Sequence, residues 1–262
     1  MRKHFGKALR IGVSKHGLAL VKTSRWAGAP VTVVAEHQFH SGLPGFEALA
    51  AGVRHLLAGY AGWSATIVLD DELTRVWQVT PPSGASRLAD LEGAAALRFQ
   101  SLFGESAALW QLSAGWDAAQ PFLAAAMPRH LLALLQQAAT EQQVRLVEIV
   151  PQFVAGYNQW CGALKPGAWY GLVQQGVLTL GALDDTGVRA VRVASLPDGA
   201  SLEWLGQHVA REALRLNLAA PARVQLSGSA PAAWNGGMCS LLAQVPPAWS
   251  GAVKLAATGA RT

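Results

Sequence analysis

One order of elements occurs twice in this chain, and it limits the possible folds more than any other feature. Apolar residues alternate at Leu9, Ile11 and Val13, then at Leu18 and Leu20 beyond Gly17, which predicts two strands. The turn Gly28-Ala29-Pro30 and the run V-T-V-V-A-E-H-Q-F predict a third. Apolar residues at 46, 49, 53, 56 and 57 keep a helical period over residues 46–60. The run A-T-I-V-L then predicts a strand parallel to the first, because a helical crossover precedes it. Beyond Lys165-Pro166-Gly167 the same order returns. W-Y-G-L-V-Q-Q-G, V-L-T-L-G-A-L and V-R-A-V-R-V-A form a meander, residues 201–217 a helix, and R-V-Q-L-S-G a strand. No fixed-period sequence repeat accompanies this, so the duplication is one of topology. Two such units meeting at a cleft can hold a ligand between them.

Between the two units lies a segment of different character. Pro81-Pro82-Ser83-Gly84 breaks the chain, and Ser86 is placed to cap a helix whose face carries Leu88, Leu91, Ala95, Phe99 and Leu102 and which Gly104 ends. Short segments at 108–112 and 122–127 follow, then a helix over 128–142 with Pro128 in its first turn. These features predict a small α+β insertion at about residues 86–145. The run V-R-L-V-E-I-V reads as a strand, and Pro151 opens a helix ending near residue 160. The expected division is a first lobe over 1–160, carrying the insertion, and a second over 161–262.

Composition removes several classes. A hydrophobic fraction of 51% supports a large core and argues against disorder. No run of about 18 apolar residues suggests a membrane span. No h-region follows the basic start, so a cytoplasmic location is expected. Cys161 and Cys239 lack a CxxC partner and read as small buried hydrophobes. The net charge of +5 is uneven: Arg2, Lys3, Lys7, Arg10, Lys15, Lys22 and Arg25 all precede the first acid, Glu36. Such a region can face anionic lipid or an acidic peptide, or form a solvated edge. Nucleic acid is not expected, since no Arg-rich helix, zinc spacing or RNP-like strand is present.

Candidate chemistry is sparse. Asp70-Asp71-Glu72 at a strand end reads chiefly as a solvated turn, with metal or acid–base work as the lesser alternative. Asp184-Asp185 precedes Thr186-Gly187 in a hairpin turn. His37 and His40 sit three apart on a strand, where side chains face opposite ways and cannot converge on a metal. No Walker A loop, G-x-S-x-G elbow or H-E-x-x-H motif occurs. Ten tryptophans mostly fill core or interface, while Trp204 is a candidate for a contact surface.

The doubled order, with glycine turns after a first strand, after a later one and near the end, resembles the actin-like ATPase superfamily. Three stretches carry the resemblance further: L-R-I-G-V-S-K-H-G-L-A-L-V at the start, V-E-I-V-P-Q-F-V-A-G-Y at 147–157, and G-A-V-K-L-A-A-T-G near the end. They are similar to the PilM group of type IV pilus assembly proteins, notably its short HofM-type members, and to the actin-like cytoplasmic part of the secretion protein GspL. The resemblance implies an α/β actin-like fold of two RNase H-like lobes with a small subdomain in the first. Active members carry D-x-G at both phosphate turns. Here the first turn reads Ser14-Lys15-His16 and the second Gln174-Gln175-Gly176, with Gly228-Ser229 left on the adenosine side. Magnesium prefers carboxylate and phosphate oxygens, and in-line hydrolysis needs a group to position water. No acidic substitute is evident beside either turn, although Lys15 could attract a phosphate.

The resemblance therefore implies a vestigial nucleotide cleft at Ser14, Lys15, Gln174, Gly176, Gly228 and Ser229, with no catalytic residue, no metal and no resident cofactor. It implies a cytoplasmic scaffold, peripheral at the inner membrane, in a type IV pilus, competence pilus or related secretion system. The partner implied is the cytoplasmic N-terminal segment of a bitopic PilN-like protein. A second copy of the chain and, through the basic N-terminal region, anionic lipid are further compatible partners. The alternative is a nucleotide-binding actin-like ATPase with divergent phosphate turns.

Overall fold

The computed structural model describes residues 6–24, 26, 30–39, 44–185, 187–243 and 246–260. Expectations at Arg2, Lys3, Arg25, the Gly28-Ala29 part of its turn, His40 and Thr186 lie outside the described residues.

Two five-stranded sheets have the same strand order. In the first, β1 (Lys7–Val13), β2 (Gly17–Ser24) and β3 (Thr32–Gln38) form an antiparallel meander. After helix α1 (Phe46–Leu57), β4 (Ser64–Leu69) pairs parallel with β1, giving β3-β2-β1-β4 and then β8 (Arg145–Pro151) at the edge. In the second, β9 (Ala168–Gln174), β10 (Val177–Asp184) and β11 (Gly187–Ser195) form the meander. Helix α5 (Leu202–Arg215) crosses to β12 (Arg223–Gly228), which is parallel to β9, and the short strand β13 (Cys239–Leu241) completes β11-β10-β9-β12-β13. This is the two-lobed order expected, with β13 in addition; three residues are too few to show a period in sequence.

Alternation along the strands assigns their faces. Leu9, Ile11 and Val13 of β1 and Leu18 and Leu20 of β2 point to α1 and to α3 (Arg129–Glu141), building the first core with Leu49, Val53, Leu131 and Leu135. The opposite face, with Ala19 and Val21, is covered by α6 (Gly251–Ala257) through Ala252, Val253 and Ala256. In the second lobe, Trp169 and Val173 meet Leu205 and Val209 of α5. The other face, with Tyr170 and Leu172, receives Phe153 from α4 (Gln152–Trp160). The lobe limit expected at 161–262 therefore differs from the packing, because α6 lies on the first sheet. Helix α4 sits between the sheets, with Phe153 against Tyr170 of the second and Ala155 against Val68 and Val150 of the first. The two helices also meet each other. Gln159 Nε2 donates to the Ala260 carbonyl at 3.1 Å and Gln152 Nε2 to Thr258 Oγ1 at 3.2 Å.

A third sheet, β5-β7-β6, comprises β5 (Arg75–Val79), β7 (Phe122–Pro128) and β6 (Trp110–Ala114), backed by α2 (Leu88–Phe103). Trp77, Phe99, Trp110 and Phe122 form its core. The subdomain thus begins with β5, before residue 86, and α3 belongs to the first lobe rather than to the insertion. On α2 only Leu91, Ala95 and Phe99 are buried; Leu88 and Leu102, expected on the same face, are exposed because the three-stranded sheet is too narrow to cover both ends of the helix. Asp90, not Ser86, satisfies the helix start, accepting from the Arg87 N–H at 3.2 Å. Gly104 ends the helix at φ 69°, as expected. Pro128 stands just before α3 instead of in its first turn. Cys239 is buried, whereas Cys161 is exposed in the loop after α4; both are free thiols.

Candidate functional site

At each of the two equivalent hairpin turns a polar side chain bonds back to the fold. At the β1–β2 turn, Ser14 is buried, and its Oγ accepts from the N–H groups of His16 (3.2 Å) and Gly17 (3.1 Å). It donates to the Gly17 carbonyl at 3.0 Å. Two N–H groups that could cradle a phosphate therefore turn inward to the serine hydroxyl. Lys15 reaches Glu72 at 3.9 Å.

At the β9–β10 turn, Gln175 (φ 46°) and Gly176 (φ 77°) adopt the two left-handed conformations of a tight hairpin. The buried Gln174 donates through Nε2 to the Gly251 carbonyl at the start of α6, 2.7 Å away. Gly228, at φ 82°, admits no side chain, since a Cβ there would lie 2.2 Å from the Val173 carbonyl. The Ser229 N–H donates to that same carbonyl at 2.7 Å. Of the six residues expected in the cleft, Gln174 alone lines the cavity of about 490 Å³ between the lobes, joined by His16 from the first turn.

Acidic groups do reach the first turn, from the end of β4 rather than from the turn itself. The Asp70 N–H bonds to the Val13 carbonyl at 2.9 Å, and its carboxylate accepts from the Glu72 N–H at 2.9 Å. Burial raises the Asp70 pKa. Asp71 spans the lobes, with Oδ1 accepting from the Phe153 N–H at 3.0 Å and Oδ2 from Thr179 Oγ1 at 2.9 Å. Burial, reinforced by Asp70, pushes its pKa up to about 7 against the pull of those hydrogen bonds. In place of the expected solvated turn, Asp70 is buried, Asp71 is half-buried and tied to both partners, and Glu72 is exposed. Sequence reading missed the tie because its partners, Phe153 and Thr179, lie 82 and 108 residues away.

This donor set does not fit a magnesium–phosphate centre. Ser14 is neutral and engaged with its own turn, Gln174 is bound to α6, and both oxygens of Asp71 are taken. Among the described residues, no group of three or more His, Cys, Asp or Glu side chains is arranged to hold a metal.

Of the described basic N-terminal residues, Arg10 and Lys22, like Lys15, are engaged within the fold. The Arg10 guanidinium donates to the Ala256 and Thr258 carbonyls at the C-terminal end of α6. Lys22 lies over the rings of Tyr60 (5.1 Å) and Trp63 (5.5 Å). Trp204 is half-buried, stacked on His208 at 5.1 Å and beside Trp234, so it is less exposed than a contact surface would require.

A second concavity of about 1210 Å³ separates the small sheet from the first lobe. It lies between two sheet edges, β6 and β8, which no ladder joins. Its walls carry Leu112, Ala125, Met127, Val147, Ile149 and Tyr157. Val147 is 63% exposed, at the place where the β4–β8 register slips by one residue. An unpaired strand edge beside apolar pockets is suited to accept an extended peptide. No sequence signal marked this groove, because it exists only once the subdomain is set beside the lobe.

No known family model and no curated protein matches the chain. Solved structures do. A PilM–PilN type IV pilus biogenesis complex contains a chain similar to this one at 16% identity and TM-score 0.62, over 97% of this chain and 95% of that one. The cytoplasmic domain of EpsL, an inner membrane component of the type II secretion system of Vibrio cholerae, matches at 12% identity and TM-score 0.58, over 97% and 94% of the two chains. A Bacteroides thetaiotaomicron protein of actin-like ATPase fold and unknown function matches at 11% identity and TM-score 0.58, over 88% and 85%. The fold is actin-like, as the sequence resemblance implied.

Proposed function

We propose that this chain is a non-enzymatic scaffold in the inner-membrane assembly platform of a type IV pilus, competence pilus or related secretion system. It works in the cytoplasm and reaches the membrane through a bitopic PilN-like partner, whose cytoplasmic N-terminal segment it binds. The observation that carries this reading is the open groove between the β6 and β8 edges. The likeness to a chain solved as a PilM–PilN complex supports the choice of occupant. An extended segment there gains main-chain hydrogen bonds from one free edge, while Leu112, Val147 and Ile149 take its apolar side chains. Catalysis is not part of the reading, since the hydroxyl of Ser14 and the carboxamide of Gln174 stand where metal-holding acids are needed.

Titration of the purified chain with the N-terminal peptide of a bitopic membrane protein encoded beside it tests the reading. Saturable binding is expected, weakened roughly tenfold or more by Val147→Asp, a surface change that leaves the circular dichroism spectrum intact. No binding by the folded wild-type protein overturns it.

A further inference from the structure

The small sheet has a second free edge, β5, which faces β11, the edge strand of the second lobe. A cavity of about 490 Å³ lies between them, walled by Val76, Phe103 and Val191. Its rim carries large apolar side chains that a monomer gains nothing by exposing: Leu102 is 40% exposed and Val193 64%.

Arginines of α2 and β11 stand on the rim, although Asp70, Asp71 and Glu72 also line the cavity. Arg98 is exposed on α2 and forms no ion pair among the described residues. Arg192 shares the buried carboxylate of Glu212 with Arg215, at 3.4 Å and 2.5 Å, so two guanidinium groups stand against one acid. The inner wall keeps unused hydrogen-bonding capacity: Thr74 Oγ1, Trp77 Nε1 and Gln174 Oε1 are buried without partners, and all three residues line the cavity.

We propose that this mouth docks a second partner segment, an acidic stretch of protein carrying one large apolar anchor. The anchor enters between Phe103, Val191 and Val193, and the flanking carboxylates meet Arg98 and Arg192. Arginine beside a buried apolar pocket is the usual composition of an energetic centre in protein interfaces. The concavity favours a protruding side chain over a flat lipid surface. The site is independent of the β6–β8 groove, since it uses the opposite edge of the small sheet, so the scaffold holds two segments at once.

Fluorescence titration of the full chain tests this with a short peptide bearing a central Trp among Glu and Asp residues. Its Lys-flanked counterpart and vesicles containing phosphatidylglycerol serve as comparisons. The acidic peptide is expected to bind at least about tenfold more tightly than the Lys-flanked one. Arg98→Glu and Val193→Asp, both surface changes, should each weaken it roughly tenfold, while Val147→Asp leaves it unchanged. Equal binding of the two peptides, absence of binding at millimolar concentration, or insensitivity to both rim variants overturns the proposal. Vesicle binding lost in Arg98→Glu, without peptide binding, reassigns the surface to the membrane.

Discussion

The Asp71 carboxylate, placed just after the last strand of the first lobe's repeat, accepts a hydrogen bond from Thr179 of the second lobe at 2.9 Å. One side chain thus ties the end of β4 both to the second lobe and to α4, because its other oxygen accepts from the Phe153 N–H.

That tie has a pH signature. Asp71 titrates at about 7 in the fold against 3.8 in the unfolded chain, so the fold binds an extra proton between these values. Stability is therefore fully present below about pH 4 and falls as pH rises towards 7. The rise from 3.8 corresponds to about 4 kcal/mol for a fully buried group, and the partial exposure of Asp71 reduces this to on the order of 2 kcal/mol. Asp71→Asn is expected to flatten the slope in urea unfolding at about pH 5 and pH 8, leaving a smaller slope of the same sign from Asp70. An unchanged slope refutes the assignment.

Gly12 on β1 lies directly beneath α6. A Cβ at this position would sit 2.4 Å from the Ala252 carbonyl oxygen and 2.7 Å from the Ala256 nitrogen, both backbone atoms. Gly12→Ala should cost about 2–3 kcal/mol in denaturant unfolding, and Gly12→Val more. A neutral Gly12→Ala would mean that α6 does not sit on this sheet in solution.

A double-mutant cycle tests the seat of α4. The Tyr170 hydroxyl bonds to Ser227 at 2.7 Å, and a Cβ at Gly156 would meet that hydroxyl at 2.3 Å. Tyr170→Phe should cost about 1–2 kcal/mol, since Ser227 loses its partner. Gly156→Ala should destabilise the wild type but be tolerated far better in the Tyr170→Phe background, where the obstructing atom is gone. Strict additivity of the two changes in chemical denaturation would contradict the contact.

Nucleotide chemistry is expected to be absent. Phosphate release from Mg·ATP should stay at the buffer rate, and ATP should leave the melting temperature unchanged, because the N–H groups of the first turn are bound to Ser14. A magnesium-dependent shift abolished by Lys15→Ala would restore the nucleotide reading.

The fold was largely legible in sequence because its signals are local. Leu9, Ile11 and Val13 report a strand by alternation, and Lys165-Pro166-Gly167 punctuates the return to the same order. What escaped depends on partners distant along the chain. Asp70 and Asp71 looked like a wet turn until Phe153 and Thr179 were brought beside them. Arg10 and Lys22 counted as surface charge, yet one closes α6 and the other lies over Tyr60. Leu88 and Leu102 matched the helical period but outran the sheet meant to cover them. Ser14 and Gln174 were read from the resemblance as standing where acids stand in active members; what the sequence did not show is that Ser14 bonds within its own turn and Gln174 to the Gly251 carbonyl.

The return of α6 to the first lobe has a consequence for biosynthesis. The first sheet emerges from the ribosome early, but Ala19 and Val21 await Ala252 and Val253, which are made only after the entire second lobe. One apolar face of the first lobe therefore stays open through most of translation, a period in which chaperone engagement matters and a truncated chain aggregates. Separately expressed halves should be insoluble alone and recover folding when produced together.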